Sequence, residues 1–205
     1  MSDLGDFSIS ITQLIWLLSA YLLGSIAFGI LASKLFGLPD PRTIGSGNIG
    51  ATNVLRSGKK MAAAITLTGD VLKGWLPVWI ALQTDLPIWL IAAVGLAVFF
   101  GHLFPIYYRF KGGKGVATAL GIMLALSPLL GLTALLTWIA VFMLSKISSL
   151  SALTAAALAP IFAWLLNLEQ IYVATVLILS IWLIWRHQTN IQKLLAGTEA
   201  GFSKK

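Results

Sequence analysis

The chain has 205 residues, of which 58% are hydrophobic and 10% charged, with a formal net charge of +7. Soluble domains carry about 25% charged residues, so this composition excludes a water-soluble globule and points to an integral membrane protein lying almost wholly in the bilayer. The absence of cysteine excludes disulfides, thiolate metal sites and thioester intermediates, and two histidines are too few for a dense histidine metal cluster.

Apolar runs and the charges between them give the order of elements. The first 33 residues carry Asp3 and Asp6 but no Lys or Arg, the wrong charge for a secretory signal. A first helix entering from outside is expected instead. It spans about Ile11 to Phe36, where Ala20 with Gly24 and Ser25 with Gly29 suit close helix packing in lipid. A polar, glycine-rich segment follows at 38–60. The second run, about Met61 to Leu82, contains Asp70 and Lys73. The third, Ile88 to about Tyr107, leads into the polar segment RFKGGKG at 109–115. Residues 116–144 are apolar apart from a break signal at Ser127-Pro128. The polar SKISSLS at 145–151 precedes a sixth run to Leu166. A seventh ends at Trp185, before a polar tail.

The basic residues decide how 116–144 is divided. If it is two helices turning at Pro128, thirteen of the fourteen Lys and Arg share one side, and Lys73 lies within a span. The other side then holds Asp3, Asp6, Asp85 and Glu169 and no basic residue. The positive-inside rule therefore predicts an all-α membrane protein: one domain over 1–205, a bundle of about seven transmembrane helices, N-terminus outside and C-terminus cytoplasmic. The net charge reflects cytoplasm-facing loops, anionic headgroups and anionic substrates, with no role for nucleic acid.

Under this topology every polar, glycine-rich segment falls on the inner face, where an active site is expected. Gly45-Ser46-Gly47-Asn48-Ile49-Gly50 formally matches a dinucleotide fingerprint, but it follows a membrane helix with no βαβ unit around it. Glycines in such a run let backbone N–H groups close on an anion, and Ser46, Asn48, Thr52, Asn53 and Arg56 add donors. Lys111-Gly112-Gly113-Lys114-Gly115 opens a helix, whose free N–H groups and dipole favour phosphate. Asp70 and Lys73, three apart on one helix face, are either a mutual ion pair or part of a site. His102 reads as a hydrogen-bonded structural residue. His187 and Asn190 share a helix face at the start of the tail, with Glu199 beyond; they order a phosphate-bearing substrate or dock the tail.

These segments resemble a known family. YLLGSIAFG at 21–29, GSGNIGATNVLR at 45–56, GHLFPIYYRFKGGKGVATALG at 101–121, KISSLSALTA at 146–155 and RHQTNIQKLLAGTE at 186–199 are similar to the bacterial acyl-phosphate-dependent glycerol-3-phosphate acyltransferases, the PlsY type. The resemblance covers essentially the whole chain. It implies transfer of a fatty acyl group from acyl phosphate to the 1-hydroxyl of sn-glycerol 3-phosphate, giving lysophosphatidic acid and phosphate for phospholipid synthesis. No cofactor or metal is implied. The expected setting is the bacterial cytoplasmic (inner) membrane, with the active site facing the cytoplasm, membrane lipid around it and a functional link to an acyl-phosphate-producing enzyme. The expected catalytic residues are Ser46, Arg56, Lys114 and His187. Gly45, Gly47, Asn48, Thr52, Asn53, Gly112, Gly113, Asn190 and Glu199 are expected to bind substrate or phosphate. The alternative is a small membrane transporter of organic phosphates, which would tend to place its polar residues near the midplane in related halves.

The other acyltransferase type resembles a His-x4-Asp pattern. Here the fifth residue after His102 is Tyr107 and the fifth after His187 is Gln192. Direct transfer without an acyl-enzyme is therefore expected, the substrate's own phosphate taking the proton. Ser46 as nucleophile and His187 as general base are the rivals.

Overall fold

The fold comes from a computed structural model that describes residues 10–202. Asp3, Asp6, Lys204 and Lys205, which enter the charge argument, lie outside the described residues. Among those described there is no β-strand; the elements are ten α-helices and one 3-10 turn.

Helix α1 (Ile11–Gly24) starts with a capping box: Ser10 Oγ accepts the Gln13 N–H at 3.3 Å, and Gln13 Oε1 accepts the Ser10 N–H at 3.0 Å. The sequence pattern alone gives 11–36 as one apolar run. The structure breaks it at Ser25–Ala27, and α2 (Phe28–Leu35) continues at 42°. A short α3 (Ala51–Leu55) precedes α4 (Lys60–Leu82) and α5 (Ile88–Leu103). After the 3-10 turn Ile106–Tyr108 come α6 (Val116–Leu126) and α7 (Pro128–Ser145). The expected break falls at Ser127, whose Oγ accepts the Leu130 N–H at 3.3 Å while Pro128 occupies the first turn of α7. Proline suits that position because its missing N–H is one no helix would use. Helices α8 (Ser148–Leu165), α9 (Gln170–Arg186) and α10 (Gln188–Leu195) complete the chain, α10 turning 61° away from α9.

Among the described residues, three helical segments are long and apolar enough to cross a membrane: Ile88–Tyr108, Pro128–Ser145 and Ser148–Leu165. The two bent pairs, α1 with α2 and α9 with α10, bring the number to five. Helix α5 is the centre of the bundle, 61% buried over its apolar window, against 17% for α7. On α7, Leu129, Leu132, Leu136, Ile139 and Met143 face outward, an apolar surface suited to acyl chains rather than water. Small residues bring backbones together: a side chain at Gly24 would overlap the backbone of Val98, and one at Gly121 that of Val71. The core between α4, α5, α6 and α9 is filled by Val78, Val94, Val98, Phe99, Ile122 and Leu179.

The α4 charges are deeply buried. Lys73 Nζ lies 2.8 Å from Asp70 Oδ1 and donates to the Ile26 carbonyl at 2.6 Å. That carbonyl sits in the α1/α2 break. The Asp70–Lys73 contact is close in distance but poorly aligned for a hydrogen bond, since Asp70 Oδ1 has no hydrogen-bond partner. The ion pair expected of Asp70 and Lys73 is present.

Candidate active site

The loop after α2 is shaped by its glycines and one asparagine. Gly45 and Gly47 take left-handed φ of 55° and 70°, a region other L residues enter only with strain. Asn53, 1% exposed on α3, fastens the loop from inside. Its Nδ2 donates to the carbonyls of Pro41 (2.8 Å), Ile44 (3.1 Å) and Asn48 (2.8 Å), and its Oδ1 accepts the Ser46 N–H at 2.9 Å. Asn53 is fully engaged with backbone and so shapes the loop. The Ser46 hydroxyl is exposed on that loop. Arg42 is paired with Asp40, which holds the Asp40 carboxyl below its ordinary value.

The second loop passes through Arg109 and Phe110, both left-handed at φ 53° and 59°, and reaches α6 through Gly115 at φ 88°. Between them, Gly112 and Gly113 are gripped from two sides. The Gly113 N–H donates to the His102 carbonyl at 3.1 Å. Arg186 donates through Nε to the Gly113 carbonyl (3.1 Å) and through Nη2 to the Gly112 carbonyl (3.0 Å). Lys114 then reaches across to donate to Asn190 Oδ1. Burial pushes the Lys114 pKa below the ordinary lysine value, with the Glu199 charge opposing and Arg186, Lys193 and Arg56 assisting.

The tail closes the constellation. Glu199 Oε1 accepts from Asn190 Nδ2 and from Ser149 Oγ, each at 2.6 Å. Thr52 Oγ1 and Ser148 Oγ share a hydrogen bond at 3.1 Å. Arg56 donates to the Ala200 carbonyl at 3.2 Å and lies over the Phe202 ring, 5.8 Å from its centroid. The Phe202 N–H is tied to the Lys146 carbonyl at 2.8 Å. His187, buried, places Nδ1 2.8 Å from the Leu183 carbonyl. That partner assigns the proton to Nδ1 and leaves Nε2 for another group.

The structure thus gathers Thr52, Arg56, Gly112, Gly113, Lys114, Asn190 and Glu199 into one bonded group at one end of the bundle. His187 starts α10 in the same region, and Ser46, Gly45, Gly47 and Asn48 line the first loop. Two of the four backbone donors expected to meet an anion are engaged: the Gly47 N–H with the Ile44 carbonyl at 2.9 Å, and the Gly113 N–H with His102. The tight turns that require glycine consume these N–H groups. Ser148, Ser149 and Arg186 belong to the group as well but are absent from the expected site residues. The serines had a signal in the polar SKISSLS turn; Arg186 looked like an ordinary basic residue at a helix end.

Residues 14–197 match the family model described as "Glycerol-3-phosphate acyltransferase". The chain belongs to this family. It is 66% identical over 191 residues to the glycerol-3-phosphate acyltransferase of Methylobacillus flagellatus, covering 93% of this chain and 97% of that one. Its identity to the enzyme of Thioalkalivibrio sulfidiphilus is 57% over 189 residues, covering 92% and 93%. The fold is similar to the crystal structure of PlsY (YgiH), an integral membrane glycerol 3-phosphate acyltransferase, in its glycerol 3-phosphate form: TM-score 0.90, 39% identity, 94% of this chain and 96% of that one. Its lysophosphatidic acid form gives 0.88, 38%, 94% and 96%. This family of PlsY-type membrane acyltransferases is the one the sequence motifs resembled.

Proposed function

We propose that this chain transfers a fatty acyl group from acyl phosphate to the 1-hydroxyl of sn-glycerol 3-phosphate, releasing lysophosphatidic acid and inorganic phosphate. Family membership supplies the acyltransferase part; the donor and product are our reading of the site. The observation that carries it is the convergence of Lys114, Arg56, Asn190 and two glycine-rich loops at one end of an apolar bundle. Both substrates bear a phosphate, so a site rich in cationic and N–H donors suits them, and the bundle offers an apolar surface to the acyl chain.

In this reading Lys114 and Arg56 hold phosphoryl groups, with the Ser46 hydroxyl and the Gly45 and Gly112 backbone assisting. Asn190, His187 and Glu199 orient glycerol 3-phosphate. The glycerol oxygen attacks the acyl carbonyl, the new ester C–O bond forms, and the acyl–phosphate C–O bond breaks. The hydroxyl proton passes to the departing phosphate. Acyl phosphate is already activated, and Lys114 and Arg56 draw off the charge that develops on its leaving group. The bundle is read as seven-spanning in the bacterial inner membrane, with this end toward the cytoplasm.

The test is to incubate purified protein with acyl phosphate and glycerol 3-phosphate and to measure lysophosphatidic acid. No product, with organic-phosphate transport in liposomes instead, would overturn the proposal. For mechanism, radiolabelled acyl phosphate is added without glycerol 3-phosphate and quenched. A stoichiometric covalent label on Ser46 would replace direct transfer by an acyl-enzyme route.

A further inference from the structure

We propose that His102, seated on the buried Asp70–Lys73 pair, is a positioning residue for Lys114. The inference rests on the reading of Lys114 as a phosphate ligand. It starts from three side chains that the proposed reaction does not use. Asp70, Lys73 and His102 are 3%, 3% and 4% exposed, inside the bundle. A buried ion pair is a weak source of stability, because desolvation offsets most of the attraction. Its presence here calls for another role, and the contacts supply one.

The contacts form a chain from the break in the first helix to the second loop. The Ile26 carbonyl accepts from Lys73 at 2.6 Å, and Lys73 lies 2.8 Å from Asp70. Asp70 Oδ1 faces His102 Nδ1 at 3.6 Å. That ring nitrogen has no hydrogen-bond partner, so the carboxylate orients the ring through charge. The imidazole is the floor of the loop: a methyl group on Gly113 would overlap its Nε2. The His102 carbonyl also holds the Gly113 N–H at 3.1 Å. Arg186 also donates to the Gly113 and Gly112 carbonyls, so the backbone entering Lys114 is held by both residues. From there its ammonium reaches Asn190. Among the described residues the Lys114 ammonium bonds to Asn190 and the His102 ring faces Asp70, so His102 acts through the loop.

The experiment uses full-length protein purified in detergent, with His102→Ala, His102→Gln, Lys114→Met and the double variant His102→Ala/Lys114→Met. Steady-state formation of lysophosphatidic acid is followed while glycerol 3-phosphate is varied. His102→Ala removes the floor but leaves the Asp70–Lys73 pair intact, so folded protein is expected. A misplacement of about 1 Å at a reacting centre lowers rate by roughly 100-fold, and that is the expected loss in kcat/KM. His102→Gln, which keeps a long planar side chain beneath Gly113, should return to within roughly fivefold of the parent. In the Lys114→Met background, His102→Ala should change kcat/KM by less than about threefold, because two residues acting through one group are not additive. Near-parental activity of His102→Ala alongside a crippled Lys114→Met would overturn the proposal. So would a full, additive loss in the double variant, or failure of both His102 variants to give monodisperse protein; either would make the cluster a staple of the bundle. A Lys114→Met enzyme with normal kinetics would instead remove the phosphate-ligand reading itself, a result visible in the single variant alone.

Discussion

Asn53→Asp should damage the first loop more than Asn53→Ala, although aspartate is the closer match in shape. The Asn53 amide has two hydrogens serving three carbonyls, at 2.8, 3.1 and 2.8 Å, and an oxygen serving the Ser46 N–H at 2.9 Å. Alanine removes all of these. At about 1 kcal/mol net for each of three effective bonds, the loop loses roughly 2–4 kcal/mol. Aspartate keeps an acceptor for Ser46 but sets a carboxylate oxygen against three carbonyl oxygens in a site that is 1% exposed. An unsatisfied buried acceptor adds about 1–3 kcal/mol more, and a buried charge more still. The thermal midpoints in detergent should fall in the order parent, Ala, Asp. Because Ser46 and the left-handed turns at Gly45 and Gly47 depend on the loop, kcat/KM should drop by roughly 100-fold in both variants. An Asn53→Asp protein with parental midpoint and turnover would refute the reasoning, since it would mean that the three carbonyls do not need a donor.

Three further outcomes are expected. Lys73→Met leaves the Asp70 carboxylate buried without its cation and should cost about 3–5 kcal/mol, whereas Asp70→Asn/Lys73→Met should recover most of it; simple addition of the two single losses in thermal melts would count against this. Gly113→Ala drives a methyl into the His102 ring, while Gly47→Ala meets nothing nearer than the Arg42 carbonyl at 3.5 Å and bears mainly left-handed strain, worth about 1–2 kcal/mol. Gly113→Ala should therefore lose far more activity at equal expression, and equal losses would contradict the geometry. Burial pushes the Lys114 pKa down, so this ammonium loses its charge at a lower pH than a solvated lysine. The kcat/KM profile should fall on the alkaline side below the ordinary lysine pKa, and Lys114→Arg should move that limb upward; an unmoved limb would show that another group titrates.

What the sequence made legible follows from which forces are local. Pro128 cannot continue a helix, and Ser127 can cap the next one, so their break was readable. The break at Ser25–Ala27 has no proline; it is held by Lys73, 47 residues away, donating to the Ile26 carbonyl, and no local rule exposes it. The glycine-rich loops announced themselves by composition. Which of their N–H groups stay free was hidden, because Gly47 and Gly113 give theirs to carbonyls that only the folded turns bring near. Asn53 was recognised as polar chemistry in the right segment, yet its direction, inward to the loop, depends on the short α3 that the pattern did not reveal. Asn190 and Glu199 stand out in the polar tail, but the bond from Ser149 to Glu199 spans 50 residues and comes only from packing.

The tail segment that carries Glu199 and Ala200 has a consequence for how the protein comes into being. A chain is made from its N-terminus, with early parts able to organise before later ones emerge. The residues of helices α1 to α9 have all been joined once Arg186 has been added. At that moment Arg56 lacks the Ala200 carbonyl, Lys114 lacks Asn190, and Ser149 lacks Glu199. The bonds that complete the candidate site therefore wait on the last part of the chain to be made.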